Sequence, residues 1–104
     1  MTEQEYLEHH QFNSVTGTHA GVGSVSTLVL AQNTSRKWAS VINNSDTPMV
    51  LNLGSAATAG EGIRLGTAGG ERKFEISWLN LYTGAINGIH EETGTKQVTV
   101  AEGW

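Results

Sequence analysis

His9 and His10, next to Glu8, have the side chains best suited to chemistry in the first stretch of the chain, since imidazole and carboxylate groups bind divalent metals. Their spacing argues against that use. Adjacent histidines point apart on a helix or a strand, whereas a chelating pair on a helix needs an i,i+4 spacing. A solvated or structural role is expected, and no metal site. His19 and His90 stand alone in the sequence. A Ser–His–Asp triad is assembled in space and not along the chain, but no G-x-S-x-G elbow is present and the serines fall in turn-forming stretches. Gly60-Glu61-Gly62 and Gly66–Gly70 make neither G-x-G-x-x-G nor a Walker loop, and no helical pattern follows to hold an anion. Glu3, Glu5 and Glu8 read as a solvated face, without the paired-carboxylate geometry of a hydrolase. These residue types and spacings therefore lead to an expectation of no catalytic residue, no metal and no cofactor.

The aromatic residues offer a different kind of chemistry. Trp38, Phe74 and Trp78 fall on strand-like runs, where packing in the core is the simplest role. Tyr82 lies in a bend and Trp104 ends the sequence; exposed there, they would serve as anchors at a protein interface. With Trp38 or Trp78, Tyr82 could alternatively line a face on which sugars stack, so a carbohydrate-binding module is the second reading.

The elements that must carry these residues are strands. The chain has 104 residues, enough for one domain, with a charge of −4, 38% hydrophobic and 15% charged residues, and 13 glycines. The charged share is below the roughly 25% usual for globular domains. Ser, Thr, Asn and Gly take its place and suit turns and sheet surfaces. An acidic chain with few Lys and Arg does not fit a phosphate backbone, so no nucleic-acid partner is expected. No apolar run approaches the roughly 20 residues of a spanning helix, and no membrane partner is expected. The polar, acidic first ten residues do not read as a secretory signal. With no cysteine, there is no disulfide framework. Asn33-Thr34-Ser35 and Asn43-Asn44-Ser45 match a glycosylation triplet but read here as turn sequence.

Residues 1–20 read as an N-terminal arm and 21–104 as the folded domain. Thr2 and Glu5 fit a capping box for one helical turn, and Tyr6, Leu7 and Phe12 are the apolar residues able to anchor the arm on a neighbour. Gly21-Val22-Gly23 reads as the boundary. Ser24–Leu30 is expected as the first strand, followed by Lys37–Asn43 and Met49–Leu53 joined by the turn chemistry of Asn44–Pro48 into a hairpin. Ile63–Leu65 is a short strand. Arg72–Trp78 alternates, with Phe74, Ile76 and Trp78 on one face. Leu79–Gly84 is a bend. Ala85–His90 and Lys96–Glu102 are expected as a last hairpin, with Gly94 at positive φ. Met49, Leu51, Leu53, Phe74, Ile76, Val98 and Val100 are the expected core. Strands about 8–12 residues apart, separated by Gly and Asn turns, define an all-β fold: a small antiparallel β-sandwich or barrel-like domain with an extended N-terminal arm.

Several segments together carry a family resemblance: Thr27–Leu30, Asn33–Lys37, Ile42–Asp46, Leu51–Gly54, Gly62–Leu65, Leu81–Ile89 and Val98–Glu102. In this order they resemble small structural proteins of tailed bacteriophages, of the head-decoration or other virion accessory kind. The resemblance spans roughly Ser24–Glu102 and leaves out the arm. It implies a non-enzymatic β-sandwich that decorates or stabilises a capsid through contacts with the major capsid protein or another virion protein. Symmetric copies, a homo-oligomer, and residence in a virion assembled in the host cytoplasm go with it. A neck or tail component is the alternative within the same family. Arg36, Lys37 and Asn43–Asp46 would be structural parts of the hairpin, not a catalytic site.

Overall fold

The computed structural model describes residues 15–67, 72–77 and 79–104. Its eight strands are β1 (Val15–Val22), β2 (Thr27–Leu30), β3 (Trp38–Asn43), β4 (Met49–Leu53), β5 (Ile63–Leu65), β6 (Lys73–Ile76), β7 (Ile86–His90) and β8 (Lys96–Gly103). They form two antiparallel four-stranded sheets, ordered β1-β8-β3-β6 and β2-β7-β4-β5. The chain is an all-β sandwich, as the strand-length runs between Gly and Asn turns lead one to expect.

The pairing has a simple logic. β1 pairs with β8, β2 with β7, β3 with β6 and β4 with β5, so the second half of the chain runs back along the first as one antiparallel ribbon. The ribbon then wraps until β8 meets β3 and β7 meets β4. This is the strand order of a jelly roll. Among these connections only β4–β5 stays within one sheet.

That wrapping corrects two expected hairpins. β3 and β4 lie in different sheets, and so do β7 and β8. The turn chemistry between them is present but builds corners. The Asn43 side chain, fully buried, donates from Nδ2 to Thr47 O at 2.8 Å and to Gly66 O at 3.2 Å, while its Oδ1 accepts from Ser45 N at 2.9 Å. A buried amide tied to the turn on one side and to the end of β5 on the other steers β4 into the opposite sheet. At the second corner, buried His90 does the same work. Glu92 N donates to its Nδ1 at 3.0 Å and Nε2 contacts Gly94 O at 2.8 Å. With Nδ1 accepting, the proton sits on Nε2. Gly94 has φ 77°, the left-handed conformation expected of it.

A third correction concerns the arm. Val15–Ala20, expected within it, belong to β1, which continues through the supposed Gly21–Gly23 boundary as far as Val22. The alternation Thr-Gly-Thr-His-Ala carries little apolar signal, because β1 is an edge strand. It is held by an unbroken ladder from Val15↔Gly103 to Val22↔Lys96, and its far end enters the core through fully buried Val22, with Ala20 packed against it. The part of the arm before Val15, including the capping box and Tyr6, Leu7 and Phe12, lies outside the described residues, as does Trp78.

The core lies between the sheets. Val41, Met49, Leu51, Leu65, Ile76, Ile86, Val98 and Val100 are all no more than about 1% exposed. Leu53 and Phe74, expected to be buried, are half-buried and pack against this cluster. No described helix is long and apolar enough to cross a membrane. Leu51, with no exposed surface, reports on the register: Leu51→Ala should lower the unfolding free energy by about 2–5 kcal/mol in chemical denaturation. A loss below about 0.5 kcal/mol would put the side chain on the wrong face.

Candidate interaction surface

One end of the sandwich is organised by a single arginine. Asn33–Arg36 is a tight turn: Arg36 N donates to Asn33 O at 3.0 Å, and Ser35 N donates to Asn33 Oδ1 at 3.0 Å. The turn sends the Arg36 side chain inward, where it is completely buried. Its Nε donates to Glu102 Oε2 at 2.6 Å, Nη1 to the carbonyls of Tyr82 and Gly84 at 2.9 and 3.1 Å, and Nη2 to Ala31 O at 2.7 Å. The planar fork of guanidinium donors suits this convergence, which a lysine could not reproduce. Asn33 N donating to Thr83 O and Lys37 N donating to Gly103 O fasten the same three segments from outside.

The β6–β7 connection is fixed by this clamp and by its own side chains. Asn80 N donates to Ser77 O at 3.1 Å, while Asn80 Oδ1 accepts from Ser77 N at 2.8 Å. Tyr82 turns inward, half-buried, and its hydroxyl donates to Ala85 O at 2.9 Å. Its ring lies so close to Gly84 that a Cβ there would come within 2.6 Å of the ring carbon. Leu79 and Leu81 point the other way and are 78% and 49% exposed. Two large apolar side chains thus stand in solvent on a turn whose backbone is held at both ends.

The residues singled out in the sequence fall out as follows. Tyr82 is a structural support of this turn, and its neighbours Leu79 and Leu81 take the exposed positions. Trp104 is half-buried next to the end of β8. Tyr6, Leu7 and Phe12 lie outside the described residues. Trp38 is half-buried on the outer face of its sheet, with Nε1 donating to Glu75 Oε2 at 3.2 Å. His19 is exposed on β1, and His90 has both ring nitrogens engaged. Among the described residues no three His, Asp or Glu side chains come together as a metal site.

A concavity of about 300 Å³ lies on the other sheet. The pairing Arg64↔Val50↔Ile89 sets its floor across β5, β4 and β7, and the Ala59–Gly62 turn and Glu91-Glu92 rim it. The described residues that line it include no Trp, Tyr or Phe.

No protein-family model, curated protein or solved structure matches this chain.

Two predictions test this account. Arg36→Met leaves Glu102 and three backbone carbonyls without their donor, and should cost about 3–5 kcal/mol in denaturant unfolding. The second concerns Glu75, whose carboxyl is held below its ordinary 4.5 by the Trp38 indole N–H and by Lys73, whose Nζ is 3.3 Å away. A lowered folded pKa stabilises above the unfolded value and loses that contribution as the pH falls through the folded one. The melting temperature should therefore drop on acidification below about pH 4.5, and less steeply in Glu75→Gln, which keeps an acceptor for Trp38 but no charge.

Proposed function

We propose that this protein is a non-enzymatic virion component, a decoration sandwich that attaches to the capsid of a tailed bacteriophage through protein contacts. The observation that carries the reading is the braced β6–β7 turn with Leu79 and Leu81 in solvent. Exposed leucines add apolar area to a contact when a partner covers them. A turn tied by hydrogen bonds at Ser77 and Asn80 and again at Tyr82 and Gly84 gives up less conformational entropy on docking than a free one. The family resemblance runs through this turn, from Leu81 to Ile89. Jelly rolls recur in viral capsid domains, which supports the reading by analogy of fold. The partner is the major capsid protein or a neighbouring virion protein, and the site of residence is the virion.

Purified particles should carry the protein at a fixed stoichiometry. Many copies per shell would mark a decoration protein, a handful a neck or tail component. Leu79→Asp with Leu81→Asp should leave the melting temperature unchanged, since both side chains are in solvent, and weaken binding to undecorated heads at least tenfold, about 1.4 kcal/mol or more. Recovery of the protein only from the soluble lysate, or binding of the double variant at wild-type affinity, would overturn the proposal.

A further inference from the structure

Among the described residues the sandwich has four edge strands, and three of them carry devices that discourage pairing. β5 is only three residues long. β2 has four residues and a register shift between Leu28 and Leu30. β6 has four residues and presents Lys73 and Glu75. Short length, irregularity and charge are the usual means by which an edge is kept from adding a strand. β1 has none of them. It is eight residues long, its register with β8 is unbroken, and its sequence Val-Thr-Gly-Thr-His-Ala-Gly-Val holds no Asp, Glu, Lys, Arg or Pro. Thr16, Gly17, Thr18 and His19 are exposed, and among the described residues only β8 pairs with this strand. Its outer row of backbone N–H and C=O groups is a template for one more strand.

We propose that this edge is an interface between two copies of the chain, formed by antiparallel pairing of β1 with β1 about a two-fold axis perpendicular to the sheet. A strand paired with itself in this way matches in length and hydrogen-bonding pattern. The two-fold keeps inner faces together, so residues of the same face meet. His19 then lies opposite His19 of the second copy. The remaining pairs bring together Thr, Gly, Ala and Val, without bulk and without like charges. This matters for a chain of net charge −4, whose copies otherwise repel.

Pairing is read on the isolated full-length protein, so its outcome is separate from attachment to a virion. Sedimentation or light scattering across a concentration series should give a species of twice the 11.1 kDa chain mass. Thr18→Lys places two like charges at or beside the two-fold. It should weaken dimerisation at least tenfold, with far-ultraviolet circular dichroism and melting temperature unchanged. Because the chain has no cysteine, His19→Cys supplies a single thiol at the proposed axis. Mild oxidation should link it into disulfide dimers, while Gln97→Cys, on neighbouring β8, should not cross-link. A wild-type protein that stays monomeric throughout, a Thr18→Lys variant that dimerises like wild type, or equal cross-linking at both positions would overturn the proposal.

Discussion

The Arg36–Glu102 ion pair is the contact on which one end of this fold depends. Its partners come from far apart in the chain: Ala31 before β3, Tyr82 and Gly84 before β7, and Glu102 in the last strand. In a wrapped ribbon, neighbours along the chain mostly lie in opposite sheets, so turns alone cannot hold the ends together. A completely buried guanidinium with four hydrogen bonds does so. Burying an ion pair is not in itself a large gain over well-packed apolar residues. What it supplies here is geometry, because the fork of donors is satisfied only when three segments converge in one arrangement. Asn43 and His90 repeat the device at the other corners, each a buried polar side chain whose partners include backbone across a turn.

The same topology explains which features were legible in the sequence. Where one face is buried and the other wet, period-2 alternation marks the strand, and the expected bounds of β3 through β8 lie within a few residues of the observed ones. Partnership is another matter. Asn, Asp, Ser and Pro between Asn43 and Met49 say that the chain turns, but hairpins and sandwich corners use the same residues. The distinguishing event is burial of the Asn43 amide against Gly66, more than twenty residues away. β1 was hidden for a related reason. An edge strand held mainly by its ladder does not need large apolar residues, so its composition resembles that of a linker.

The candidate surface was half legible. Leu79–Gly84 is visible as a bend, and of its large side chains Tyr82 looks the natural anchor. The Tyr82 ring lies beneath the turn, against Gly84, which has no Cβ to obstruct it. Leu79 and Leu81, both ahead of it in the chain, are the exposed ones. The buried role of Arg36 left no local trace at all, because its charge partner is 66 positions along the chain.

The two proposed contacts are geometrically linked through the first sheet. Val15 of β1 lies in one row with Gly103 of β8 and Trp38 of β3, and the next position, on β6, leads into the leucine turn. β1 and the turn therefore sit at opposite edges, three strand spacings apart. Pairing through β1 makes one continuous sheet of eight strands with the leucine turns at its two outer edges and at opposite strand ends, about 34 Å apart across the sheet at roughly 4.8 Å per strand and about 26 Å along it at roughly 3.3 Å per residue, or about 43 Å in all. Neither contact obstructs the other, and the sheet between them is stiffened by its hydrogen-bonded ladders. Such a dimer presents two identical apolar tips at a fixed separation. On a lattice of repeated subunits, the second tip binds at a high effective concentration once the first is seated, so two modest contacts combine into a tight one without further area. On this view the small size of each leucine tip is no obstacle to stable attachment, because affinity comes from the spacing of two tips that the sheet holds apart.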